Sequence, residues 1–180
     1  AIIDHADKIN FIGSVEVGKQ IARRCAERLI GCSTELSGKD AAIVLADAPF
    51  ERALNGVVWG AFTNTGQNCA SIERLYVAEA IYDRFVPALV EKVKKLRLGD
   101  DVGPLRNERQ MRLVESHVAN ARETGSTVLT GGERREGTLF YAPTVIEVAD
   151  RTATFIVEET FGPTLPVIKV RDAEEALAET

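Results

Sequence analysis

Histidine and cysteine are scarce in this chain: two of the first, His5 and His117, and three of the second, Cys25, Cys32 and Cys69. No two cysteines are spaced CxxC, and only His5 and His117 could add imidazole, so on these spacings neither a disulfide framework nor a zinc site is expected. Unpaired thiols suit a reducing compartment. Positive charge is also in deficit. With 22 basic against 27 acidic side chains the net charge is -5, which argues against nucleic acid and against anionic membrane as partners. Long apolar runs are missing too, none approaching the ~18 residues of a membrane span. No charged, apolar leader opens the sequence, and a cytoplasmic protein is the expectation.

The composition is otherwise that of a globular piece, 180 residues with 45% hydrophobic side chains, large enough for a core and for one or at most two domains. Strand and helix signals alternate along it. An apolar strand from Lys8 runs into a Gly13-Ser14 turn. Val17, Ile21, Cys25 and Leu29 then recur at helical spacing, placing Cys25 in a core stripe. Extended segments are expected at Thr34 to Leu36 and Ala41 to Leu45, then a helix from about Phe50 to Thr63. Arg74 to Val77 reads as a strand and Ile81 to Leu96 as a helix. After the Gly99 to Pro104 linker come a helix from about Asn107 to Thr124 and a strand at Thr127 to Leu129. Extended segments follow at Leu139 to Val148, interrupted by Pro143, and at Phe155 to Val157. A strand at Leu165 to Val170 and a helix from Asp172 close the chain. The alternation implies an α/β fold with a mostly parallel open sheet flanked by helices. Cys32 reads as a buried strand or turn thiol, and His117 as a surface or half-buried histidine with no assigned role.

GSVEVGKQ, Gly13 to Gln20, nearly spells a phosphate-binding P-loop, but Gln20 stands where a hydroxyl must hold Mg²⁺. A milder reading keeps a strand, a tight turn and a helix whose first amides attract an anion. Taken alone, that segment is equally well a turn and nothing more.

Two further strings carry chemistry. ELSGKD places a carboxylate at Glu35, and FTNTGQNCAS places a thiol at Cys69 in a polar loop between helix and strand. A thiolate can add to an aldehyde carbon, and a carboxylate can activate the water that later cuts a thioester. Singly, Glu35 is an ordinary surface carboxylate, Cys69 a small buried hydrophobe, Phe161 a core aromatic and Glu159 half of an acidic pair before Gly162-Pro163. In sequence order, FIGSVEVGK, ELSGKDAAIVLADA, GAFTNTGQNCASIERLYV, VGPL and EETFGPTLPV reverse those readings: together they resemble the aldehyde dehydrogenase superfamily over nearly the whole chain.

The resemblance implies roles for particular residues. Gly13 and Ser14 would contact the pyrophosphate of NAD or NADP, Glu35 would be the general base, Cys69 the nucleophile, and Glu159 and Phe161 would hold the nicotinamide ribose and ring. It implies oxidation of a small-molecule aldehyde to an acid, with Cys69 and Glu35 facing one cleft, and a homo-oligomeric assembly. EETFGP and GQNC are most similar to semialdehyde and broad aliphatic members. The resemblance also makes residues 1 to 34 a remnant of the dinucleotide-binding domain and residues 35 to 180 an incomplete catalytic domain. The oxyanion asparagine and the residues choosing NAD or NADP would lie in an absent front part, and Asn68 is not that asparagine. Cofactor binding by this stretch alone is therefore expected to be poor. Ser37 stands where relatives usually carry glycine. The alternative is an orphaned α/β module that self-associates through an open sheet edge, or that undergoes only thiol acylation.

Overall fold

The structure, a computed structural model, describes residues 2–180; Ala1, where the expected cofactor-domain remnant starts, lies outside the described residues. The chain divides into two compact units, one ending at Gly38 and the other spanning Lys39–Thr180, a few residues beyond the boundary read at Thr34.

In the first unit, β1 (Lys8–Ile12) and β2 (Gly31–Glu35) pair in parallel, with Ile9 opposite Cys32 and Ile12 opposite Glu35, and α1 (Val15–Glu27) connects them. Gly18, a P-loop position in the sequence, lies inside α1. A Cβ there would come within 2.5 Å of Leu36 Cδ2, so this glycine permits close packing of the helix and forms no phosphate loop. Leu29 departs from the expected stripe. The helix ends at Glu27, Leu29 takes a left-handed φ of 55°, and the Leu29 and Ile30 N–H groups bond back to the Ala26 and Cys25 carbonyls at 3.1 and 3.2 Å. That is a Schellman-type ending, in which the residue at Leu29's place is turned out of the helix; Leu29 is 94% exposed. Cys25 is buried as read, whereas Cys32, expected buried, is exposed on β2.

The second unit is built on a five-stranded sheet. Its strands are β3 (Ala41–Val44), β4 (Arg74–Ala78), β5 (Thr127–Thr130), β6 (Thr144–Glu147) and β7 (Thr164–Val170), in the order β3-β4-β7-β6-β5. All neighbours run parallel except β5, which lies antiparallel to β6. The helices are α2 (Phe50–Phe62), α3 (Glu79–Val93), α4 (Glu108–Glu123), the single turn α5 (Thr154–Val157) and α6 (Ala173–Glu179). Because side chains alternate faces along a strand, Leu75, Val77, Val145 and Val167 point to the layer of α2 and α3. There they join Leu54, Val57, Phe62, Phe85, Leu89 and Val93. The intervening Ile146 packs with Met111, Val114 and Val118 of α4 and with Phe155 and Ile156 of α5. Tyr76 and Ile168 meet Ala176 of α6. Helices thus cover both faces, and β7, in mid-sheet, is buried along its length save for Lys169.

Two expected extended segments differ. Within Leu139 to Val148 only β6 forms a strand, and Tyr141 adds an isolated antiparallel bridge to Arg134. Phe155 to Val157 is a helical turn, with the Ile156 and Val157 amides on the Ala153 carbonyl at 2.9 and 3.2 Å. The neighbours Phe155 and Ile156 enter the same core cluster, which a strand's alternation forbids. Among the described residues no helix is long and apolar enough to cross a membrane, and no group of three or more metal-ligating side chains is gathered.

Candidate active site

Three of the strings singled out in the sequence converge in the second unit. After α2 the backbone makes three successive left-handed residues, Asn64, Thr65 and Gly66, at φ of 52°, 63° and 68°. For a β-branched residue such as Thr65 this conformation is costly, and it persists only where neighbours over-determine it. They do here. Thr65 is buried and its hydroxyl donates to the Gly103 carbonyl at 3.1 Å; Asn64 Nδ2 donates to the Gln67 carbonyl at 2.9 Å. Gln67 Nε2 donates to the Pro104 carbonyl at 3.2 Å, and its Oε1 accepts the Arg106 N–H at 2.8 Å. The GQNC loop is thereby tied to the VGPL segment.

Gly66 ties it equally to EETFGP: a Cβ on Gly66 would lie 2.2 Å from the Gly162 carbonyl oxygen. Only glycine satisfies both that approach and the positive φ. Cys69 follows in an exposed turn, its Sγ 3.7 Å from Asn68 Oδ1, which also accepts the Ala70 N–H at 3.1 Å.

The EETFGP segment is gripped from several elements. Phe161 also has a left-handed φ, 51°. Glu73, buried just before β4, accepts the Thr160 and Phe161 N–H groups, one on each carboxylate oxygen, both at 2.8 Å. Lys39 Nζ donates to Glu73 at 2.7 Å and to the Thr160 hydroxyl at 3.2 Å. Burial pushes the Lys39 ammonium's pKa down, opposed by the Glu73 charge. Gln110 Nε2 donates to the Thr160 and Phe161 carbonyls at 2.7 and 3.1 Å. His117 Nδ1 lies 2.9 Å from the Thr160 hydroxyl. His117 is thus buried and engaged, not a surface or half-buried residue; burial, then the Lys39 charge, hold its pKa below the ordinary value.

Glu73, Lys39, Gln110 and His117 were given no role in the sequence reading. Signals for two of them existed. His117 lies on the Met111, Val114, Val118, Ala121 stripe of α4. Asn107 and Gln110 have the spacing of a capping box: Asn107 Oδ1 accepts the Gln110 N–H at 3.0 Å, but the Gln110 side chain turns to residues 160 and 161 instead of reaching back. Lys39 and Glu73 fall inside the ELSGKD and GAFTNTGQNCASIERLYV strings, but nothing in those strings pairs one with the other.

Glu159 and Phe161 are half-buried on either side of the gripped Thr160. The remaining candidates lie in the first unit. Glu35 is the exposed last residue of β2, and its carbonyl accepts the Gly13 N–H at 3.0 Å. Ser14 is the N-cap of α1 yet makes no side-chain capping bond, so its hydroxyl is not consumed by its own helix. The first helical amides likewise have no intrahelical acceptor.

The second unit thus carries an exposed thiol on a strained, multiply anchored loop, beside a segment held by a buried ion pair, in a mostly parallel α/β sheet. The aldehyde dehydrogenase family model matches residues 1–180, and the chain belongs to that family. It is 37% identical over 179 residues to the NADP(+) succinate-semialdehyde dehydrogenase GabD of Escherichia coli K12, covering 96% of this chain and 37% of that protein. It is 35% identical over 177 residues to glutarate-semialdehyde dehydrogenase of Pseudomonas putida, covering 95% and 37%. Among solved structures, PutA of Anabaena variabilis superposes with a TM-score of 0.95 at 38% identity, covering 99% of this chain and 40% of that one. Betaine aldehyde dehydrogenase of Staphylococcus aureus, in complex with NAD+, superposes at 0.92 with 32% identity, covering 97% and 37%. The chain spans 37% of the length of these curated relatives.

Proposed function

We propose that this chain is the thiol-bearing part of an NAD(P)-dependent aldehyde dehydrogenase acting on a semialdehyde or similar aliphatic aldehyde. The carrying observation is the convergence of the Cys69 loop with the VGPL and EETFGP segments through Gly66, Gln67 and Gly162. Cys69, as thiolate, attacks the aldehyde carbon; its own backbone N–H stabilises the oxyanion of the thiohemiacetal. NAD(P), when bound, supplies the hydride acceptor. Loss of hydride from the substrate carbon leaves a thioester on Cys69. Glu35 takes a proton from water, the water oxygen attacks the thioester, and the acid departs as the thiol is regenerated.

The chain's residues suit a dinucleotide. The uncommitted Ser14 hydroxyl and first amides of α1 offer donors to a pyrophosphate, and Glu159 offers acceptors to ribose hydroxyls, with Phe161 beside the ring. Residues up to about Thr34 are read as part of the cofactor domain and those beyond as catalytic. A homo-oligomer is the proposed assembly.

The test is acylation by an activated ester followed by mass spectrometry, alongside reduction of NAD or NADP with succinate semialdehyde in the complete gene product. Cys69→Ala should abolish both. Equal labelling of wild type and variant would remove Cys69 as the nucleophile.

A further inference from the structure

The buried ion pair of Glu73 and Lys39 lies outside every role given above, and its contacts all lead to one short piece of backbone. Thr160 is completely engaged: its N–H by Glu73, its carbonyl by Gln110, and its hydroxyl by Lys39 and His117. Phe161 is held in the same manner, N–H by Glu73 and carbonyl by Gln110. A carboxylate using one oxygen for each of two successive amides fixes a peptide plane, much as a bidentate pair fixes a guanidinium. It does so where the backbone is least willing to stay, at the left-handed Phe161. Side-chain burial of Glu73 and Lys39 is nearly complete, at 6% and 10% exposure, so water competes little for these bonds.

We propose that Glu73, neutralised by Lys39, is a positioning residue that sets the direction of Glu159 and Phe161 toward the nicotinamide half of the cofactor. This rests on the cofactor role proposed above for those two residues. In sequence, Lys39 stands four residues after Glu35, and Glu73 four residues after Cys69. A glutamine at 73 retains shape but offers a single acceptor oxygen to two amides and turns an NH₂ toward one of them. It also leaves the Lys39 ammonium buried without its counter-charge. The segment should then relax from its left-handed conformation, while the Cys69 loop keeps its separate anchors at Gly103, Pro104 and Arg106.

The test compares Glu73→Gln with wild type in the complete gene product by three readouts: equilibrium binding of NAD and NADP, acylation at Cys69 by an activated ester without cofactor, and amide exchange resolved at residues 160 and 161. The expected result is a cofactor Kd raised at least tenfold, exchange at Thr160 and Phe161 accelerated at least tenfold, and acylation changed less than threefold. A Kd within twofold of wild type, or binding and acylation lost in equal proportion, overturns the proposal. If wild type itself binds neither cofactor, the cofactor reading fails, and with it the positioning role, even where exchange shows Glu73 holding the segment. Should Glu73→Gln not fold, the Glu73→Gln/Lys39→Met double variant removes both buried charges and is held to the same outcomes.

Discussion

Gly66 offers a quantitative test of the close approach between the thiol loop and the EETFGP segment. Substituting alanine has two separable costs. The first is conformational, since Gly66 has φ +68°, a region where an L side chain costs about 1 kcal/mol. The second is overlap: a Cβ would sit 2.2 Å from the Gly162 oxygen and 2.7 Å from its carbonyl carbon, whereas real Cβ contacts stay beyond 3.0 Å. Because the obstacle is backbone, the two segments must part by at least 3.0 − 2.2 = 0.8 Å. Forcing apart a packed site adds about 1–3 kcal/mol, for a total of about 2–4 kcal/mol. Gly137 is the natural control, with a near-identical φ of +69° and nothing within 4 Å of its would-be Cβ, so Gly137→Ala should lose only the first term, about 1 kcal/mol. Urea unfolding of both variants reads the difference. Cys69 lies three residues beyond Gly66, and a shift approaching 1 Å can cost about a hundredfold in a reacting geometry, so ester acylation should fall at least about tenfold in Gly66→Ala and stay unchanged in Gly137→Ala. Equal stabilities of the two variants would refute the reasoning.

Leu29 bears the opposite prediction. It sits exposed at a helix end in the left-handed region, so Leu29→Gly should relieve more strain than it adds in unfolded-state entropy, stabilising the protein by about 0.5–1 kcal/mol as a higher urea midpoint. His117 predicts a pH dependence. Burial and then the Lys39 charge lower its pKa, with Glu158 and Glu73 acting in the opposite sense, so the unfolded chain binds the proton more readily. Its contribution is therefore complete above the unfolded value near ~6.5 and is lost as pH falls below it toward the lower folded value. His117→Gln should flatten that part of the stability-pH curve, and an unchanged slope would contradict it.

Much of the architecture was legible because periodicity is a local property. The stripes that form α1 to α4, and the apolar runs that form β3, β4 and β7, are written in neighbouring residues. Where the reading failed, packing overrode the local pattern: Leu29 was in step with its stripe but lay beyond the helix end, and Phe155 to Val157 had strand-like composition but sent two successive side chains into one cluster. The strings around Glu35, Cys69, Glu159 and Phe161 carried the family resemblance because each candidate residue sits in a short, distinctive run of neighbours.

The sequence by itself determined the α/β class and the family, and it located the loop thiol proposed as nucleophile, since all three reside in contiguous residues or in their order. Only the tertiary structure decided what holds the site. Glu73 meets Lys39 across 34 residues, and Thr160 and Phe161 across 87 and 88, while Gln110 reaches the same segment across 50 and 51. A carboxylate before a strand looks like any other in the chain text. Its partners, and hence its work, are fixed only when the sheet brings β4 beside β7 and the loops at their ends share one buried space.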